Sequence, residues 1–243
     1  MYKIHLLFLS VFFISFSTFS QVDSQKKIYS WYDTQNGIEN SMLFRGIEYV
    51  ETDRMINERH KFFKTDKFQK GALMYDGQTF YEVPLKYNIF NDLLLVNLQQ
   101  GSRNLIFQLI SNKVDNFMIG EHQFKYLKSR NNIKLEGFYE VINDQGEFKI
   151  YKKHLQNSRE IRDKNLAYTE FNREDPEYIY QIGSDNFSLG SRSELMSNFP
   201  EFKRQIRSFY KENHADLKDS PDVFMSNLAK EMNVLTSSSS KVI

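Results

Sequence analysis

The sequence predicts a mainly β protein: an antiparallel meander of about ten strands, strongly curled or barrel-like, capped by two or three C-terminal helices. Three observations carry this expectation. From Gly71 to Leu127, short apolar runs alternate with turn pairs, which is the spacing of an antiparallel meander. Aromatic residues make up 15% of the chain, and they favour pleated, half-buried surfaces. From Ser191 onward the pattern changes to capping signals and helical apolar stripes. The curl is expected because a long run of consecutive strands seldom stays flat.

The elements follow in order. Residues 21–40 form a polar, irregular lead-in with Trp31 and Tyr32 as isolated aromatics. An antiparallel β domain spans residues 41–190. Ser41 to Glu51 holds one or two short strands broken at Gly46. The charged stretch Thr52 to Lys70 has room for a helical turn at Arg54 to Lys61, and Phe62 and Phe63 read as a plug dropped onto the sheet. Gly71 to Tyr75 and Thr79 to Leu85 form a hairpin about Asp76 and Gly77, because a type I′ turn needs positive φ at both central residues. Pro84 cannot donate to a ladder and belongs at a bulge or an edge. Leu93 to Leu98 is nearly unbroken apolar sequence, as for a strand buried on both faces. Further strands are expected at Asn104 to Ile110, Lys113 to Ile119, Gln123 to Leu127, Leu135 to Ile142, Glu147 to Tyr151, Leu166 to Phe171, Glu177 to Ile182 and Asn186 to Leu189. His154 to Asn165 is highly charged and reads as a mobile excursion.

Residues 191–235 form the helical cap. Ser191 and Glu194 fit a capping box. After Pro200, Phe202, Ile206, Phe209 and Tyr210 line one face of a second helix. Pro221 opens a third, with Val223, Phe224, Leu228 and Met232 as its buried stripe. Residues 236–243 are a Ser-rich tail, expected to be disordered.

Residues 1–20 have the order of a signal peptide: Lys3, an apolar run from Leu6 to Phe16, then Thr18 and Ser20 before a cut at Gln21. The run is shorter than the ~20 apolar residues that a membrane span needs. No integral span is therefore expected after cleavage, and the chain should be exported to the periplasm, the cell surface or the medium. The chain has 32 Lys and Arg against 31 Asp and Glu; losing Lys3 brings these to balance. A neutral chain carries no electrostatic footprint for nucleic acid. It has no cysteine, which excludes disulfides and thiolate chemistry. An exported domain of this kind must be held by its core.

No catalytic constellation is legible. His5 leaves with the signal peptide, and His60, His122, His154 and His214 show no metal-ligand spacing. They read as surface or loop residues. Asp76, Asp92, Asp144 and Asp185 each fall at an expected turn, where Asp bonds its own backbone. Nucleophile-elbow, phosphate-loop and calcium-loop motifs are absent from the sequence. No catalytic, cofactor or metal residue is assigned. Lys125, Lys128, Arg130 and Lys134 form a small basic cluster that reads as a solvated loop. The aromatic residues supply the one positive signal. Tyr81, Tyr87, Phe107, Phe117 and Phe124 either pack as core or line a hole for an apolar ligand.

Gly46 with Tyr49, the pair Phe62 and Phe63, and the run from Lys70 to Val96 resemble a group of uncharacterised exported β-rich proteins of Bacteroidetes with a YDG…Y…LKY meander signature. Asn88 stands where the signature has a second Asp. The resemblance implies an envelope or secreted location, a strand meander and a short helical C-terminus. It brings no activity with it. The expected function is thus a non-enzymatic envelope or secreted protein with a binding or structural role, its partner an envelope protein or an apolar ligand. A carrier of an apolar molecule or lipid, and a hydrolase with an unrecognised site, are the alternatives.

Overall fold

The structure is a computed structural model that describes residues 42–56, 58–128, 133–163 and 166–239. The expected signal peptide at residues 1–20, the expected lead-in with Trp31, Arg130 of the basic cluster and residues 240–243 lie outside the described residues. Strands β1 (Ile47–Glu48), β2 (Gln69–Tyr75), β3 (Gln78–Asn88), β4 (Leu93–Gln100), β5 (Arg103–Gln108), β6 (Val114–Ile119) and β7 (His122–Leu127) make the first part. Strands β8 (Gly137–Asn143), β9 (Phe148–Lys153), β10 (Gln156–Asp163), β11 (Leu166–Arg173), β12 (Glu177–Ile182) and β13 (Asp185–Ser188) follow. Helices α1 (Arg192–Asn198), α2 (Lys203–Glu212), α3 (His214–Asp219) and α4 (Pro221–Ser239) end the described chain. No helix among the described residues is long and apolar enough to cross a membrane.

Eleven strands form one antiparallel sheet in the order β1-β5-β4-β3-β2-β6-β7-β8-β9-β12-β13. This corrects the expected strongly curled or barrel-like shape: the order is linear, and the sheet stays open with β1 and β13 at its edges. The edge strands are two and four residues long. Such short edges leave few backbone groups to recruit another strand, so closure is not needed to protect them. The helices number four among the described residues, against two or three expected. The added one is the short α3, whose six residues are too few for an apolar stripe to show.

The hairpin of β2 and β3 turns as its sequence dictates, with Tyr75 opposite Gln78 and φ of 52° at Asp76 and 80° at Gly77. Pro84 lies opposite Lys70, next to a register shift and just before the β3–β4 ladder begins at Leu85. A residue without an N–H fits there. The plug is also present. Phe63 N–H donates to the Tyr87 carbonyl at 2.8 Å, Ile89 N–H donates to the Lys61 carbonyl at 2.9 Å, and both phenylalanines are buried. His154 to Asn165 is not an unpaired excursion. Residues 156–163 are strand β10, paired with β11 from Gln156 opposite Arg173 to Asp163 opposite Leu166. A ladder satisfies the backbone whatever the side-chain charge.

The core has two large clusters and a small third one of Leu127, Tyr139, Tyr151 and Ile179. Leu73, Tyr75, Phe80, Leu85, Tyr87, Leu94, Val96, Phe117, Phe124 and Phe138 form the first cluster together with Leu43 and Phe63 from the segments before β2. Phe148, Ile150 and Tyr180 meet Leu195, Phe202, Ile206, Phe224, Leu228 and Met232 of the helical cap in the second. Ser191 caps α1 as expected, its Oγ accepting from Glu194 N–H at 3.1 Å. Helix α4 continues to Ser239, so residues 236–239, expected in the tail, are helical.

Asn233 fastens α4 to the sheet. Its Oδ1 accepts from Phe148 N–H at 2.8 Å, and its Nδ2 donates to the carbonyls of Phe148 at 2.8 Å and Gln145 at 3.0 Å. A side-chain amide thus replaces a neighbouring strand at the β8–β9 turn. Gly146 makes room, since a Cβ there would sit 2.4 Å from Asn233 Oδ1. Asn233→Ala strands one N–H and two carbonyls and is expected to cost about 2–3 kcal/mol. Urea denaturation measures it, and a loss below roughly 0.5 kcal/mol would show that water replaces the amide.

Candidate functional site

Meander register brings three adjacent strands together in a polar cluster. Glu140 of β8 lies opposite Phe124 of β7 on one side and Lys152 of β9 on the other. His122 is two residues from Phe124, and His154 two residues from Lys152. Period-two alternation puts all of them on one face of the sheet. Phe124 and Phe138 belong to the first core and Ile150 to the second, so the cluster sits at the seam between the two.

Glu140 is 7% exposed. Its Oε1 is hydrogen-bonded to His122 Nδ1, and its Oε2 accepts from His154 Nε2 at 2.7 Å. Lys152 Nζ lies 3.9 Å from Oε2 and 2.7 Å from Asp222 of α4, which also accepts from Tyr178 OH at 2.6 Å. Burial alone would raise the carboxyl pKa of Glu140. The bonds from His154 and His122 outweigh it and bring it down to about 2. Phe63 packs in a T-shaped arrangement with both imidazoles, with centroids 5.1 Å from His122 and 5.0 Å from His154. Lys64 Nζ is 2.5 Å from His122 Nε2. An ammonium can only donate, so His122 accepts at Nε2 and carries its proton on Nδ1 towards Glu140. His154 Nδ1 has no hydrogen bond among the described residues. Three or more His, Cys, Asp or Glu placed to hold a metal ion are not found among the described residues.

Lys64 joins this cluster to a cleft of about 290 Å³ at the root of the β10–β11 ribbon. The cleft is lined by Glu58, Arg59, His60, Lys64, Gln156, Phe171, Asn172 and Arg173. Residues 58–64 supply one wall and the ribbon base the other. The walls are tied by Arg59 to Glu170 at 2.6 Å, by Phe171 N–H to the Arg59 carbonyl at 3.1 Å, and by Gln156 Nε2 to the His60 carbonyl at 3.2 Å. Lys64 holds a φ of 56°, a left-handed conformation that costs energy for a side chain with a Cβ.

Beneath this wall, Lys61 is 3% exposed and pairs with Glu51 at 2.8 Å and with Asp53. Burial alone would lower its pKa. Hydrogen bonding to Asp53, Glu51 and Tyr49 more than reverses this and holds it above the ordinary lysine range. The ion pairs therefore clasp residues 49–53 against the segment that carries the cleft.

The structure brings together three of the five aromatic residues singled out from the sequence. Tyr87, Phe117 and Phe124 pack on one another, with Phe117 stacked on Phe124 at 4.7 Å and Tyr87 at 5.5 Å and 5.1 Å from the two. Phe107 pairs with Phe44 at 5.3 Å, both half-buried against the rim of the same core cluster, and Tyr81 is half-buried on β3. Asn88 is buried and braces its own turn, Oδ1 accepting from Asn91 N–H at 3.1 Å. Asp76 and Asp144 pair with Lys113 and Lys125 near their turns. Asp92 pairs with Lys153 of β9 and accepts from Tyr87 OH. Sequence reading missed the cluster because His122, Glu140 and His154 lie on three strands with no local motif. Strand register was the signal that could have found them. Comparison with family models, with curated proteins and with solved structures finds no match.

Proposed function

We propose that this chain is an exported, non-enzymatic envelope or secreted protein with a binding role, and that the cleft at the ribbon root is its contact site. The observation that carries this is the state of the polar cluster beside the cleft. Both oxygens of Glu140 are engaged, one with each histidine, and a carboxyl held near 2 is a fixed anion at neutral pH, not a proton carrier. The cluster braces the cleft wall through His122 and Lys64. The packing of Tyr87, Phe117 and Phe124 against one another argues against an apolar carrier, which would need those rings to surround a hole. Export rests on the order of residues in the signal peptide.

The test has two parts. Fractionation with mass spectrometry is expected to find the chain outside the cytoplasm, beginning at Gln21. Affinity isolation from the native envelope is expected to recover a stoichiometric partner or small molecule that Arg173→Glu loses. A cytoplasmic chain retaining Met1 to Ser20 refutes export, and identical recovery with Arg173→Glu refutes the contact site.

A second reading is a hydrolase, favoured by His154. Its Nε2 bonds Glu140, and Nδ1 is left as an acceptor in the manner of a general base. That reading requires turnover of an ester or glycoside substrate that His154→Ala removes.

A further inference from the structure

The geometry points to a small oxyanion, a carboxylate- or phosphate-bearing molecule, as the ligand of the ribbon-root cleft. This rests on the binding reading above and names the ligand class of the same site. The chemistry of the lining carries this assignment. Arg59, Lys64 and Arg173 contribute three cations, against the single carboxylate of Glu58. Arginine and lysine can only donate. His60 is 8% exposed, and its Nδ1 accepts from Phe62 N–H at 3.2 Å. That bond fixes the tautomer. The proton must sit on Nε2, which has no partner among the described residues, so His60 too presents a donor. Arg59 is held by Glu170 through one nitrogen, which leaves its other N–H groups available. Arg173 has no ion pair among the described residues.

The three cations and the Nε2 donor of His60 outweigh the acceptors of the lining, the Glu58 carboxylate and the buried Gln156 Oε1, which has no hydrogen bond among the described residues, and a set dominated by cations is matched by an anionic, acceptor-rich ligand. Guanidinium groups pair with carboxylate or phosphate in bidentate geometry, and such charge-assisted bonds are roughly twice as strong as neutral ones. The volume of about 290 Å³ lies at the lower end of small-molecule sites. Lys64 gains a role here. With His122 accepting at Nε2, its ammonium is shared between the imidazole and the cleft, and an oxyanion would draw it over.

The experiment is calorimetric titration of the chain as isolated from the expressing cell, at low ionic strength. The probes are inorganic phosphate in one arm and succinate in the other. Binding in either arm with Kd below about 1 mM is expected, and the tighter arm identifies the head group. Arg173→Ala is expected to weaken it about tenfold or more. Arg173 is exposed on the ribbon, so a change in thermal unfolding is not expected to accompany the loss. Arg192→Ala, on α1 outside the cleft, should leave binding unchanged. Absence of heat from both probes at 10 mM, about tenfold above that bound, overturns the ligand class. Binding that Arg173→Ala leaves intact overturns the site. If no oxyanion binds but Arg173→Glu still loses the envelope partner, the ligand class falls and the binding reading stands.

Discussion

Asp92→Ala is expected to lower the unfolding free energy by about 3–5 kcal/mol. Asp92 closes the turn between β3 and β4 with φ of 55°, and its carboxylate reaches across to β8 and β9. Oδ1 accepts from Tyr87 OH at 2.7 Å, and Oδ2 accepts from Phe138 N–H at 3.1 Å and from Lys153 Nζ at 2.7 Å. Tyr87 is 1% exposed, so its hydroxyl has no water to turn to when the acceptor is removed. Burial and the neighbouring Asp92 keep that hydroxyl protonated, well above its ordinary pKa. Alanine would strand the hydroxyl and the Phe138 amide and leave the Lys153 ammonium without its counter-charge. Gly137 is fitted to this arrangement. It has φ of 138°, and a Cβ would lie 2.2 Å from Asp92 Oδ2. Gly137→Ala is therefore expected to reproduce part of the same loss. Asp92→Asn keeps an acceptor and tolerates positive φ, and should cost about half as much. Guanidinium denaturation of the three variants decides the matter. A loss under roughly 1 kcal/mol for Asp92→Ala would mean the carboxylate is spectator to the fold.

The second large effect concerns acid. Glu140 has a folded pKa of about 2 against an ordinary 4.5. A depressed carboxyl contributes stability that is fully present above the unfolded value and is lost as pH falls through the folded one. The window is thus roughly pH 4.5 down to 2, and the difference of about 2.5 units corresponds to about 3 kcal/mol. Glu140→Gln should remove this contribution. The variant should be less stable than the parent at pH 6, and the gap should close by pH 2. Parallel acid-limb stabilities that keep a constant gap would refute the linkage. Because other carboxyls titrate in both proteins, the difference between them is the quantity to read.

How much of this could be read from the sequence depends on the range of the interaction. The Asp76–Gly77 turn was legible because positive φ at two successive residues is a property of those residues alone. The cap at Ser191 and the stripes of α2 and α4 were legible because helical neighbours lie three and four positions apart. The plug at Phe62 and Phe63 showed itself as two large apolar residues in a charged stretch. By contrast, β10 was read as an excursion because its ladder with β11 depends on a partner strand and not on its own charged side chains. The open sheet was read as curled because strand count says nothing of whether the edges meet.

Asp92 shows the same divide within one residue. Its place at a turn is written beside it in the chain, while its bonds to Phe138 and Lys153 cross 46 residues or more. Glu140 had no local signal, and became a site only once register placed His122 and His154 on its face. The sequence by itself determined the strand and helix periods, the turn chemistry and the absence of thiol chemistry, since these depend on each residue and its near neighbours. Only the tertiary structure decided which charges are buried together, which aromatic rings fill the core, and which distant segments meet at the cleft. Those are matters of register and packing between distant segments, and one residue's slip in a strand would send every one of these side chains to the opposite face.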